Sequence, residues 1–179
     1  MRVSVIGGSS IDDSEARIAE AVGRELADRG HTVVCGGLGG TMAAVCRGAR
    51  TADDPAETIG ILPGNRRSAA NRFVTVPIAT GIGHARNALV VQNGDAVIAL
   101  AGGAGTLSEI GMAAAYDRPI VGLGTHDCDG IDALDRFEAV ETPAEAVAAV
   151  EEETRRMAVD EAVLDDAAVD EASIDDDRS

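Results

Sequence analysis

Lysine is absent from this chain of 179 residues: all 15 basic residues are arginine, against 31 acidic ones, for a formal net charge of −16. Without lysine there is no Schiff base, no pyridoxal phosphate attachment and no lysine of the phosphate-loop type. Tryptophan is also missing, and two Phe and one Tyr are all the aromatics. So few stacking groups on so acidic a chain exclude a broad nucleic-acid surface, which needs basic residues to neutralise phosphates. No apolar run reaches the length of a membrane span, and the one in Met1–Gly8 is too short for a signal peptide. Cys35, Cys46 and Cys128 form no C-x-x-C pair and lie far apart in sequence, so a reduced cytoplasmic compartment is expected. An acidic, lysine-free composition is that of a protein working in concentrated salt, where self-repulsion is screened and carboxylates keep the surface hydrated.

What is present is an alternation of short apolar runs with helical stretches. Val3–Ile6, Thr32–Cys35, Thr58–Leu62, Phe73–Val76, Ala96–Leu100 and Ile120–Leu123 read as strands. Helices are expected at about Asp13–Arg29, Thr41–Thr51, His84–Asn93, Thr106–Tyr116 and Pro143–Glu153. Alternation of this kind predicts an α/β fold, a three-layer, doubly wound, mostly parallel Rossmann-like sheet with helices on both faces. It occupies residues 1–153, and residues 154–179 read as an acidic, disordered tail. Residues 151–179 carry 12 acids and 3 Arg, and Val159, Leu164, Val169 and Ile174 recur every five residues, which suits neither a helix face nor a strand face.

Three strand ends are rich in glycine: Gly7-Gly8-Ser9-Ser10, Gly36-Gly37-Leu38-Gly39-Gly40 and Gly102-Gly103-Ala104-Gly105. In the third, a buried-strand pattern runs through the glycines straight into a helix. The first turn of a helix has N–H groups without intrahelical partners, so an anion can be held there by backbone alone. Thr106 adds a hydroxyl. The turn after the first strand lacks G-x-G-x-x-G spacing, and no acid follows Cys35-Gly36 to hold a ribose diol, so a nicotinamide or flavin dehydrogenase is excluded. Thr58–Gly94 contains no acid and four arginines, Arg66, Arg67, Arg72 and Arg86, which points to an anionic ligand.

Glu109 has two readings. Thr106-Leu-Ser-Glu109 fits the S/T-x-x-E capping box, in which Glu109 bonds back to the Thr106 N–H; a carboxylate beside a phosphate site can equally do chemistry. Thr142-Pro-Ala-Glu145 has the same spacing, and there a cap suffices. His84 lies near the inferred site. His126-Asp-Cys128-Asp129 has metal-ligand residue types in spacing too crowded for a site, so no metal is expected. Cys35, at a strand end beside the ligand loops, reads as a small buried residue or as a contact for a sulfur-containing or metal-bearing cofactor.

Gly83-His-Ala-Arg86-Asn followed by Gly102-Gly-Ala-Gly-Thr-Leu-Ser-Glu109, with Cys35-Gly-Gly-Leu-Gly-Gly-Thr41, resembles the LOG and DprA-like (SLOG) Rossmann superfamily. Within it the chain is most similar to the molybdenum-cofactor carrier-like branch. The resemblance covers roughly residues 1–150. It implies a small phosphorylated ligand, a nucleotide or molybdopterin-type cofactor, with Gly7, Gly8, Ser9, Gly36, Gly37, Gly40, Gly102, Gly103, Gly105 and Thr106 around it, and it implies a homodimer. In LOG enzymes it also implies cleavage of the N-glycosidic bond of nucleoside 5′-monophosphates, with Arg86 orienting the ligand and Glu109 at the ribose. Ala101 replaces the proline of the LOG pattern and Asn87 its lysine, and these departures favour binding without turnover.

Overall fold

The computed structural model describes residues 1–125, 134 and 136–176. Seven strands, β1 (Arg2–Ile6), β2 (Thr32–Cys35), β3 (Thr58–Leu62), β4 (Val76–Ala79), β5 (Ala96–Ala99), β6 (Ile120–Leu123) and β7 (Phe137–Val140), form one sheet in the order β4-β3-β2-β1-β5-β6-β7. Every pairing is parallel. Among the described residues the α-helices are α1 (Asp13–Asp28), α2 (Thr41–Arg50), α3 (Asn87–Gln92), α4 (Ala104–Ala115) and α5 (Pro143–Asp176).

Central strands read as continuous apolar runs because both their faces are covered. Val3, Val5, Val33, Cys35 and Ile98 point to a layer formed by α1, α2 and α5. Ile6, Val34, Val97 and Ala99 point to the opposite layer, where Val90 and Val91 of α3 and Ile110 and Ala113 of α4 pack. Side chains alternate between faces with period two, so one sheet feeds two cores.

The edge strands depart from the sequence expectation. The fourth strand lies at Val76–Ala79 rather than Phe73–Val76. Asn71 draws the chain into a turn first, its side chain accepting from the Phe73 N–H (3.0 Å) and its carbonyl from Val74 (3.1 Å). Pro77 then sits in an edge strand, where a missing N–H costs little. The seventh strand, Phe-Glu-Ala-Val, is too exposed to show a buried-strand pattern. The third helical stretch divides into a short 3-10 turn, Gly83–Arg86, followed by α3.

Helix α5 continues to Asp176 and so includes most of the acidic segment for which no order was expected. Its buried side chains, Ala146, Val147 and Val150, all lie in its first turns. A five-residue repeat steps about 140° around a helix, so such a repeat builds no single apolar face. Among the described residues, no helix is long and apolar enough to cross a membrane.

Helices α1 and α2 cross with their backbones in contact. A Cβ on Gly23 would lie 2.0 Å from the Val45 carbonyl oxygen, and one on Gly48 would lie 2.0 Å from that of Glu20. Replacing either glycine by alanine therefore forces the helices apart. Gly48→Ala gains about 1 kcal/mol of helix propensity but is expected to lose about 2 kcal/mol or more overall through overpacking. A fall in the urea midpoint at unchanged m-value, measured in high salt, checks this; an increase would show that the crossing adapts.

Candidate functional site

Strand order reverses between β1 and β5, where one neighbour leads toward β4 and the other toward β7. The chain leaves β1 toward α1 on one face and leaves β5 toward α4 on the other. That divergence opens a crevice at the carboxyl ends of the strands, the position where open α/β sheets hold ligands. A cleft of about 200 Å³ occupies it, lined by Gly7, Gly8 and Ser9 after β1 and by Gly103, Gly105 and Thr106 after β5. Gly36 and Met42 close it from the β2–α2 side, and His84, Arg86, Asn87 and Glu109 complete it. The Gly8 N–H donates to the Ala101 carbonyl (2.9 Å) and Thr41 N–H to the Gly8 carbonyl (2.9 Å), tying the three glycine loops into one frame.

The helix starts around this frame differ in how their free N–H groups are satisfied. At α1, Asp12 accepts from the Ser14 and Glu15 N–H groups (2.7 and 2.9 Å) while Glu15 accepts from the Asp12 N–H (2.8 Å). This capping box fills the anion position with the protein's own carboxylate. Glu145 and Thr142 do the same at α5, where the Glu145 carboxylate accepts from Glu141 and Thr142 (both 3.0 Å). At α4 the N-cap is Gly103, which offers no side chain to the first turn. Its N–H groups and the positive end of its dipole are left facing the cleft.

Helix α4 starts at Ala104, two residues earlier than expected. Thr106 therefore lies inside the first turn and is no N-cap, which removes the capping-box reading of Glu109. Glu109 is buried instead and faces Arg86, also buried, with Arg86 Nη1 3.5 Å from its Oε1. That separation is longer than the 2.7–2.9 Å of a tight charge-assisted bond. The same Nη1 donates to Asn87 Oδ1 at 2.8 Å, while the buried Nε has no partner. A guanidinium has five N–H donors, so Arg86 is under-bonded for a buried cation. Burial pushes the Glu109 carboxyl up to about 7, and the Arg86 charge offsets only part of that rise.

The cleft gathers Gly7, Gly8, Ser9, Gly36, Arg86, Gly103, Gly105, Thr106 and Glu109 from the residues singled out in the sequence. Gly37, Gly40 and Gly102 do not line it. Gly40 and Ser9 line a neighbouring open groove, while a Cβ on Gly102 would meet Thr106 Oγ1 at 2.1 Å and one on Gly37 would meet Leu62 Cδ2 at 2.9 Å. Those glycines serve packing. Gly103 and Gly105 have open space where a Cβ would be. Asn87 and Met42 were not expected to line the cleft; adjacency to Arg86 and to the second glycine motif were the only signals for them. The structure also brings together Cys35 and Cys46, both fully buried, with their sulfurs 3.5 Å apart. His126, Cys128 and Asp129 lie outside the described residues.

Residues 1–163 match the profile of the SLOG cluster4 family. The chain belongs to that family. An uncharacterized protein from Archaeoglobus fulgidus is 37% identical over 147 residues, covering 82% of this chain and 92% of its own. Among solved structures, the molybdenum cofactor binding protein of Rippkaea orientalis is 28% identical with a TM-score of 0.77, over 84% of this chain and 95% of that one. The molybdenum cofactor carrier protein of Chlamydomonas reinhardtii is 28% identical with a TM-score of 0.76, over 84% and 96%. DNA processing protein A of Helicobacter pylori, at 19% identity and a TM-score of 0.64 over 86% and 81%, shares the fold.

Glu109 of this SLOG protein binds its proton more tightly when folded, about 7 against an ordinary 4.5. Its contribution is therefore most favourable below pH 4.5 and is lost as pH rises through about 7. Relative to Glu109→Gln, which cannot ionise, the wild type should lose about 3 kcal/mol of stability between pH 4 and pH 8.5. Denaturant titrations of both proteins across that range test this; parallel curves would mean the carboxyl is not held in its buried state.

Proposed function

We propose that this protein binds a phosphorylated, nucleotide-like ligand without turning it over, with the phosphate on the first-turn N–H groups of α4. The observation that carries the reading is the contrast between helix starts. Helices α1 and α5 are closed by their own carboxylates, and α2, which also starts at a glycine, has its Thr41 N–H bonded to the Gly8 carbonyl, whereas α4 begins at a bare glycine facing a cleft with a buried, under-bonded arginine. Gly103, Gly105 and Thr106 line the wall where the phosphate would lie. At about 200 Å³ the cleft is smaller than the 300–1,000 Å³ that encloses a whole drug-sized ligand. It suits the phosphate end and leaves the remainder of the ligand toward the rim. Asn71 ties the segment that carries Arg66, Arg67 and Arg72 to the second glycine loop, its side chain donating to the Leu38 carbonyl (2.9 Å) and its N–H to that of Gly37 (2.9 Å). These arginines form none of the ion pairs among the described residues, which favours an anionic ligand over a neutral one.

The similarity to a molybdenum cofactor binding protein and a molybdenum cofactor carrier supports a molybdopterin-type cofactor as the ligand. We take the protein to work in a salt-rich cytoplasm and as a homodimer, a reading supported by exposed Ile78, Ile82, Leu107 and Tyr116. The charge of −16 disfavours nucleic acid.

A second reading is favoured by Glu109, which does not cap its helix and shares the cleft with Arg86. In a nucleoside 5′-monophosphate phosphoribohydrolase it would face the sugar as positive charge develops there and the base departs. Incubation with nucleoside monophosphates in high salt, assayed for free base and ribose 5-phosphate, separates the two. Product formation abolished by Glu109→Ala establishes the hydrolase, and saturable binding without product establishes the carrier.

Gly103→Ala tests the phosphate position itself. The methyl group meets nothing within 4 Å in the protein, so thermal stability should hold while the Kd for a phosphorylated ligand rises about tenfold or more. Calorimetric titration against nucleoside monophosphates and isolated molybdenum cofactor checks it, and an unchanged affinity would remove the phosphate from α4.

A further inference from the structure

We propose that Cys35 and Cys46 are a redox pair, closed by hydrogen peroxide into a disulfide that displaces the loop 36–40, of which Gly36 lines the cleft. Eleven residues apart and on different elements, they carry no sequence signature of a pair. The β2–α2 packing sets their sulfurs 3.5 Å apart, with both thiols free and shut off from bulk water. The two sulfurs are not equivalent. Cys35 Sγ shares a hydrogen bond with Cys46 and accepts from the Gly37 N–H (3.4 Å), and these contacts hold its thiol below the usual range despite burial. The Cys46 thiol is pushed up by its bond to Cys35 and by burial. Cys35 is thus the attacking thiolate and Cys46 the proton-bearing partner.

Access runs through the cleft. Gly36, the residue after Cys35, lines it beside Met42 and Arg86; a Cβ there would lie 2.5 Å from Arg86 Nη2 and 2.7 Å from Met42 Sδ. Cys35 is fully buried and does not itself line the cleft, so a small uncharged peroxide would have to enter past Gly36 when Arg86 and Met42 shift, and an occupied cleft would oppose that shift. The Cys35 thiolate attacks one oxygen of hydrogen peroxide and breaks the O–O bond, and the departing hydroxide takes up the proton released when Cys35 ionised, leaving a sulfenic acid and one water. Cys46 sulfur then attacks Cys35 sulfur and expels the hydroxyl, which departs as water with the Cys46 proton. Two thiols are oxidised, and one peroxide is reduced to two waters.

Closure brings the sulfurs from 3.5 Å to about 2.05 Å. The Gly37 N–H loses its acceptor, and the end of β2 must approach α2. The chain between them has little slack: Gly40 is pressed on Gly8 and Ser9, where a Cβ would be 2.3 Å from the Gly8 carbonyl oxygen, and the Thr41 N–H is bonded to that same carbonyl. Movement is passed to the β1 turn that lines the opposite wall.

The test uses the full chain, folded, in high salt. Trypsin cleaves after Arg29 and Arg47, so one peptide, 30–47, holds both cysteines. After peroxide, alkylation in denaturant and digestion, this peptide should be two hydrogens lighter and unalkylated, and dithiothreitol should reverse the change. Hydrogen exchange of residues 36–42 should be at least about threefold faster in the oxidised protein. Cys46→Ser should leave Cys35 trapped by dimedone after peroxide. The proposal is overturned if both thiols stay alkylatable, if oxidation ends in sulfinic acid or in linkage to Cys128, or if the disulfide closes and exchange is unchanged. No readout uses a ligand, so these outcomes are separate from those of the binding assays.

Discussion

The pairing of β1 with β5 at the centre of the sheet is the constraint on which the site depends. Their register, Val3 with Ala96 through Ile6 with Ala99, ends both strands at the same level, and the Gly8 N–H then spends itself on the Ala101 carbonyl. Because the following helices lie on opposite faces, no chain fills the space beyond those ends. Slipping this pairing by one residue would turn each strand's side chains to the wrong core and separate the two glycine turns.

Around that crevice the glycines divide by what they face. Gly102, Gly37 and Gly40 are pressed against protein atoms and allow the loops to meet. Gly103 and Gly105 face open space, so their missing side chains leave room for something other than protein. The same division runs through the helix starts. An acid at the head of α1 and at the head of α5 closes each helix on itself, and the lack of one at α4 leaves its dipole available to an outside charge.

Arg86 and Glu109 give the cleft a compensated but loosely bonded pair of charges. Burying two ions is expensive unless their geometry is good, and a 3.5 Å contact with one arginine nitrogen unpartnered is not good geometry. An anion placed between α4 and Arg86 would supply the missing partner, and the high proton affinity of Glu109 lets that corner adjust its charge near neutral pH.

Much of this was legible in the chain. Parallel α/β architecture followed from apolar runs at Thr32–Cys35, Thr58–Leu62 and Ile120–Leu123, whose bounds match the strands residue for residue, since buried strands need apolar residues on both faces. The glycine turns and Arg86 are gathered around one cleft, and they stood out in the chain because composition responds directly to close backbone approach and to charge. Edge strands were less legible: β4 and β7 are half-exposed, so burial does not shape their composition. Tertiary structure alone decided that α4 starts at Ala104, that Glu109 meets Arg86 rather than Thr106, and that Cys35 lies against Cys46. Each of these depends on distances between segments far apart in the chain, set by how helices seat on a twisted sheet, and local spacing carries no record of them.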